Sequence, residues 1–525
     1  MNRFSQSLYK IALQFTRWLG LLFLLFLFVC NLIYTCYPED MTSQKVLAAK
    51  NPIPLYLLWV FAGIFLVFFL GKYFSRAGFR KFLLAAVMVW IILTGLIQLI
   101  FSKTVPAADA LSVYSCAESL ASGDLSVIHP TDSYLSYYPQ QIGLTAFFEL
   151  LIRFFKLFPF HVQHYHLIKL VYIALTCAIV FFQYRLTHLL WSNDAADCLS
   201  LLFSALHLPL LMYSAFLYGE IPSYAAILAG SCCLAGLLKD SGNHFFLRLA
   251  GSLSGFTLAV FFRKNSLIMI IAVLIIVLLE AIHQKSGKLL LFCILCAALS
   301  LSVLPCTIRL YEQRSGSTLK SGVPASSYFL MGMQESERAA GWYNGTNFET
   351  YRDCGMDTEK TNAVCYPAIS ARIAQFKSNP EYTGKFYKEK FLSQWADGTF
   401  ACRQATLATF GGRSSFFDAV YIGSLNGFFI AYCNIFQLFL YLGALLFMLF
   451  SIFPVLSGKR GKKSGEPLFG YLLLIFSFGG FLFHMIWEAN ARYIFLYALA
   501  LLTYAAKGFS GLLTTLISRR ASAKA

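Results

Sequence analysis

The sequence predicts an all-α integral membrane protein with about twelve transmembrane helices and two large extracytoplasmic loops. Over 525 residues, 58% are hydrophobic and only 13% are charged, and the mean hydropathy is +0.64. Apolar stretches of about 20 residues recur, which is the length a helix needs to cross a bilayer. The ten-residue alternation of an outer-membrane barrel is missing. These observations exclude a soluble enzyme of several domains. The net charge of +17 would point to nucleic acid in a soluble protein. Here the basic residues sit in short clusters between apolar segments, where they set membrane orientation, so no nucleic-acid partner is expected.

Thirteen apolar stretches follow one another: 18–37, 54–71, 82–102, 139–157, 167–190, 195–215, 221–238, 246–262, 266–282, 289–310, 426–452, 467–487 and 491–507. Arg3, Lys10 and Arg17 precede the first, and Arg519, Arg520 and Lys524 follow the last. Both termini are therefore expected in the cytoplasm, and the number of crossings is even. The stretch 139–157 carries Gln140, Gln141, Glu149, Arg153 and Lys156, so it reads as an amphipathic helix at the outer interface. Removing it leaves twelve spans and places Lys72, Arg76, Arg80, Lys81, Arg185, Lys239, Arg248, Lys285, Lys288, Lys459, Arg460, Lys462 and Lys463 inside. The chain then divides into a tail and three spans (1–102), a first outer loop with an interfacial helix (103–166), six spans (167–310), a cap loop (311–425), three spans (426–507) and a basic tail (508–525). The first span is read as a retained anchor, because Cys36-Tyr37-Pro38-Glu39 is a poor cleavage site. No internal repeat of the kind found in two-half transporters is visible.

Most cysteines fall in apolar segments and read as packing residues, and Cys293-x-x-Cys296 is one turn of a span rather than a metal or redox motif. Cys354 and Cys365 would be placed to close a short disulfide in an extracytoplasmic loop. His161 and His164 share a helix face, but no acidic partner stands at fixed spacing, so interfacial packing is the expected role. Asn344-Gly345-Thr346 has the form of a glycosylation sequon and is relevant only in a secretory eukaryotic host.

The polar chemistry collects on the outer side. Asp109 follows the third span closely, behind Pro106, and puts a carboxylate at the rim. The cap loop contains GWYNGT at Gly341–Thr346, an expected helix around Tyr382–Gln394 and WADGTF at Trp395–Phe400. Three short outer turns add charge: Leu217-Tyr218-Gly219-Glu220-Ile221-Pro222, Phe262-Arg263-Lys264-Asn265, and Trp487-Glu488-Ala489-Asn490-Ala491-Arg492-Tyr493. Charges at span ends ordinarily anchor helices at the interface. Their coincidence on one face under a large loop points instead to a site where cations bind a lipid phosphate and a carboxylate takes a proton from a hydroxyl.

In its order of motifs the chain resembles the polytopic glycosyltransferases of the C fold, in particular the bacterial dolichyl-phosphate-mannose-protein-mannosyltransferase-like group. The resemblance rests on Pro106-x-x-Asp109, Gly123-Asp124, Tyr137-Tyr138-Pro139-Gln140, the Tyr218–Pro222 turn and Glu488-x-x-x-Arg492-Tyr493, and spans most of 82–507. It implies an inverting transfer of a sugar from a polyprenyl-phosphate donor, on the extracytoplasmic side, with Asp109 as catalytic base. It further implies Arg263, Lys264 and Arg492 as donor-phosphate contacts, and Glu220, Glu488, Tyr138 and Gln140 as sugar or acceptor contacts. The acceptor would be a cell-wall polymer, a glycolipid or a protein. Two spans precede the one that matches the family's first, and Asp109 stands between Ala108 and Ala110 without the acidic neighbour many relatives carry. A divalent cation is left open as a cofactor. The alternatives are a lipid-linked oligosaccharide flippase or transporter, and a polysaccharide polymerase or ligase that uses a lipid-diphosphate donor. The expected location is a bacterial plasma membrane.

Overall fold

The computed structural model describes residues 3–74, 76–131, 133–239, 244–456 and 467–522. Lys459, Arg460, Lys462, Lys463 and Lys524, which enter the topology argument, lie outside the described residues. The chain is a predominantly helical, multi-pass membrane protein with one short β-hairpin. Among the described residues ten helices are long and apolar enough to cross a bilayer: Ser5–Ile33, Ile53–Phe74, Phe79–Phe101, His164–Trp191, Glu220–Lys239, Phe245–Phe262, Lys264–Gln284, Gly287–Ser315, Asn426–Phe453 and Leu468–Ile486.

Two of the expected spans are broken. The stretch 195–215 forms Asp194–Leu206 and Leu208–Tyr213. The helix stops at His207, whose ring accepts a hydrogen bond from Leu210 N, and restarts with Pro209 in its first turn. The chain from this segment on to Tyr218, five residues past its end, follows the neighbouring helix. Asp197 meets His188 at 2.7 Å near one end of His164–Trp191, while Tyr218 O accepts from Tyr172 OH at 2.6 Å. Residues 172 and 188 stand about 24 Å apart along a helix. The stretch 491–507 is likewise split, into Ala491–Ala500 and Leu502–Leu516, which meet at 41°.

The first span ends earlier than expected. Its helix runs Arg3–Ile33 and gives way to a hairpin, Tyr34–Pro38 paired antiparallel with Val46–Lys50. Tyr-Thr-Cys-Tyr-Pro favours extended backbone, and Asp40 accepts from Thr42 N and Ser43 N to close the turn. The hairpin is held to the cap by Cys36 N donating to Ala396 O (2.7 Å) and Val46 N donating to Arg338 O (2.8 Å).

The stretch 139–157 contains a helix of only 14 residues, Ile142–Phe155. It is amphipathic, with Leu150 and Phe154 exposed. Its charges do not all face a headgroup layer, however. Glu149 is buried and accepts from Tyr311 OH (2.5 Å), Arg314 Nη1 (2.7 Å) and Arg153 Nε (2.8 Å). Both arginines also donate to Leu120 O. The cluster pins three elements together: this helix, Ala108–Ala121 and the end of Gly287–Ser315, which continues five residues into the segment expected as loop.

Residues 316–425 form a cap with its own core of Leu330, Met333, Ile369, Phe376 and Phe386. Its helices include Ala325–Met331, Thr346–Asp353, Thr358–Ser378 and Pro380–Trp395. The last matches the expected helix around Tyr382–Gln394, and starts where Asn379 accepts from Tyr382 N with proline at the first position. Cys354 and Cys365 are both free thiols.

Below the cap, the first helix packs against Asn426–Leu456, with Arg17 Nε donating to Tyr471 OH (3.1 Å) and Tyr9 OH donating to Glu280 Oε1 (2.8 Å). Asn426–Leu456 in turn packs on Leu502–Ser522 so closely that a Cβ on Gly508 would lie 1.8 Å from Gly443 O. Small residues at such crossings are what lets two helix backbones meet in a membrane.

Candidate active site at the cap face

Both outer loops and all three charged turns come together at one end of the bundle, around a cavity of about 790 Å³. Asp109 is delivered to it by a strained entry. Val105 N donates to Ala408 O (2.9 Å) and Phe410 N to Lys103 O (3.1 Å), so the chain leaving the third span is paired with the chain leaving the cap. Lys169 reinforces this by donating to Thr104 O. Ala108 then adopts φ +47°, a left-handed conformation that residues with a Cβ rarely take, and Asp109 falls in the first turn of Ala108–Ala121. Its half-buried carboxylate lines the cavity and, among the described residues, makes no hydrogen bond or ion pair.

The cations come from the turns between long helices. Gly219 makes this possible, because a Cβ there would lie 2.5 Å from Phe262 O. With glycine the Tyr218–Glu220 turn lies against Phe262–Arg263, and Glu220 Oε1 sits 2.5 Å from Arg263 Nη1 and 3.9 Å from Arg492 Nε. Two guanidinium groups thus share one buried carboxylate. Arg492 is further enclosed by the rings of Phe216, Tyr218 and Tyr493, at 5.3–5.4 Å from its central carbon. Asn490 caps the helix that carries it by accepting from Arg492 N at 2.9 Å. Lys264 is exposed on the same wall, and its ammonium has no hydrogen-bond or ion-pair partner among the described residues.

Glu488 is buried on the cavity wall and accepts from Tyr493 OH at 3.1 Å. Its turn is fastened to the cap: Ala489 N donates to Gly341 O (2.8 Å), and Lys390 donates to both Trp487 O (2.8 Å) and Gly332 O. Burial pushes the Glu488 carboxyl up to about 7, against the opposing pull of Tyr493 and Arg492. Below that pH it is neutral, and above it the carboxylate repels an anionic ligand. Affinity for a phosphate monoester held by these cations is therefore expected to fall by roughly fivefold between about pH 6 and 8, the size of about 1 kcal/mol of repulsion. Glu488→Gln should abolish that part of the pH dependence, and the difference between the two titrations isolates it from the ionisation of the phosphate itself.

No family model matches the chain, and no curated protein matches it.

Of the residues expected from sequence, Asp109, Tyr138, Gln140, Arg263, Lys264, Glu488 and Arg492 all line this one cavity. Glu220 does not. It was expected to contact sugar or acceptor, but it is buried behind the wall as the counter-ion of Arg263 and Arg492. Sequence reasoning also missed several contributors. Gln141, next to the expected Gln140, donates to Tyr218 OH. Tyr328 and Trp487 stack with ring centroids 5.2 Å apart and form an aromatic shelf on the wall. Arg338, Trp342, Tyr343 and Asn347 face the cavity from the cap. Of these, Trp342 and Tyr343 lay in GWYNGT and Trp487 in the last charged turn, motifs that stood out in the sequence, though none of the three was singled out as a site residue.

Among the described residues, no group of three or more His, Cys, Asp or Glu side chains is placed to hold a metal ion. His164 lies 3.8 Å from Glu118 on the far side of the helix that carries Asp109, and His161 is exposed.

Proposed function

We propose that this chain is a membrane glycosyltransferase that moves a sugar from a polyprenyl phosphate to a cell-envelope acceptor. The observation that carries the reading is the pairing of an unpartnered carboxylate, Asp109, with Arg263, Lys264 and Arg492 in one cavity whose wall runs into the lipid-facing surface. From Lys264 the lining continues along Leu267, Ile268 and Ile271, with Phe483 opposite, and Ile271 is 57% exposed on the outside of the bundle. A phosphate held by the cations would have its polyprenyl chain directed along these side chains into lipid. The order of sequence motifs supports the same reading by its resemblance to C-fold glycosyltransferases.

In this mechanism Asp109 takes the proton of an acceptor hydroxyl as its oxygen bonds to the anomeric carbon. The bond from that carbon to the phosphate oxygen breaks on the opposite side, so configuration inverts. Polyprenyl phosphate leaves with its new charge facing Arg263, Lys264 and Arg492, of which the two arginines are held in place by Glu220 before the reaction. Tyr138 and Gln140 line the same cavity as Asp109 and the cations and are assigned to the sugar. A divalent ion, if one is used, would draw most of its ligands from phosphate and water, since the protein itself offers too few.

The cap face is then the extracytoplasmic side. Counting the broken segments 194–213 and 491–516 as crossings gives the twelve expected, with both termini in the cytoplasm and a bacterial plasma membrane as the setting. The test is to incubate purified protein in lipid with a panel of polyprenyl-monophosphate and polyprenyl-diphosphate sugars and follow the lipid product. Release of polyprenyl phosphate from a monophosphate donor supports the assignment and names the sugar. Release only from diphosphate-linked chains moves it to a polymerase or ligase, and binding without release moves it to a flippase.

A further inference from the structure

The donor reading uses one wall of the cavity and leaves the cap wall without a role. Among the described residues that wall carries two polar groups, the Arg338 guanidinium and Asn347 Oδ1, without a hydrogen-bond or ion-pair partner. Arg338 lies half-buried beside the hairpin, its guanidinium 5.4 Å from the centroid of Tyr343 and engaged by no carboxylate or carbonyl. Asn347 is 2% exposed and lines the same cavity, and its Oδ1 accepts no hydrogen bond. A buried amide oxygen without a donor is costly unless a ligand supplies one. Tyr343 between them is 37% exposed and presents a ring to the space in front.

Three features set this wall apart from the phosphate site. Arg338 sits at the junction of cap and hairpin, with its carbonyl taking Val46 N, and not at a helix end. Among the described residues its guanidinium pairs with no carboxylate, whereas Arg263 and Arg492 share Glu220. Both Asp109 and Arg338 lie within electrostatic reach of Glu488 and Tyr343, so the cap wall and the proposed base border one space.

We infer that Arg338, Tyr343 and Asn347 form a second saccharide subsite, which takes the acceptor as a glycan bearing an acidic group. Arg338 pairs with a carboxylate or phosphate on the sugar in the two-pronged way a guanidinium allows. Asn347 Oδ1 accepts from a sugar hydroxyl, and Tyr343 supplies the flat apolar face on which a pyranose rests. This rests on the glycosyltransferase reading for its name of acceptor, but the subsite itself is testable without turnover.

The experiment measures binding to the full-length protein in lipid nanodiscs of a disaccharide containing a hexuronic acid, of its carboxyl-reduced counterpart, and of an unglycosylated peptide. Wild type should prefer the acidic sugar by about tenfold or more. Arg338→Gln should erase that preference and Arg338→Lys should restore part of it, while Asn347→Ala should weaken both sugars alike. Equal binding of the acidic and reduced sugars, or preference for the peptide, overturns the proposal. So does a result in which Arg338→Gln weakens only a lipid diphosphate, which would make its anion the donor's second phosphate. Polyprenyl-phosphate binding and its loss in Arg263→Gln are recorded on the same samples. Lipid binding with no sugar preference would defeat the subsite alone, and sugar preference without Arg263-dependent lipid binding would defeat the donor reading alone.

Discussion

Asp109→Asn is expected to lower the rate of sugar transfer by about 10²–10⁴-fold, the usual contribution of a positioned general base, while the protein stays folded. Among the described residues the carboxylate makes no hydrogen bond or ion pair, so an isosteric amide breaks no contact. Removing one negative charge from a cavity rich in cations should, if anything, tighten donor binding. Release of polyprenyl phosphate, donor affinity and melting temperature measured side by side check all three statements. Turnover at the wild-type rate would remove Asp109 from its assigned role.

Glu220→Gln is expected to have the opposite profile, a large loss of stability. The substitution leaves Arg263 and Arg492 enclosed without their shared counter-ion. Breaking one side of a buried ion pair costs about 3–5 kcal/mol. A phosphate ligand should partly replace the lost carboxylate, so polyprenyl phosphate should raise the melting temperature of the variant more than that of wild type. An unchanged melting temperature in the absence of ligand would show that the two arginines are solvated well enough to need no counter-ion.

These two residues also mark how far the sequence could be read. Asp109, Arg263, Lys264, Glu488 and Arg492 were found because each sits beside a span end, and topology alone sends alternate span ends to one face. Glu220 obeyed the same rule and was therefore grouped with them. Its inward direction follows from Gly219 and the close approach to Phe262, a contact between turns more than forty residues apart that no local pattern records. Glu149 misled in a similar way: a carboxylate among apolar residues reads as interfacial, and its three donors, two of them from a distant helix, are invisible in sequence. The long spans were legible from apolar length. The break at His207 was not, since Leu206, Leu208 and Leu210 keep the stretch apolar and only Pro209 hints at a restart. Arg338 and Asn347 were out of reach because the cap arranges them through its own core, and Arg338 stands in an ordinary acidic loop, Gln334-Glu335-Ser336-Glu337.

The packing of the first helix has a consequence for how the chain is made. Arg17 meets Tyr471 across 454 residues of sequence, and Tyr9 meets Glu280 across 271. At a synthesis rate of about 5–20 residues per second, the interval between Arg17 and Tyr471 is on the order of half a minute. During that time the first helix waits in the bilayer with a cation whose hydroxyl partner does not yet exist. The hairpin that follows it also waits, because Ala396 and Arg338 emerge far later. The earliest part of the chain is thus among the last to be locked in place, and a ribosome stalled before the final helices would expose a membrane segment ready to be recognised by quality-control proteases.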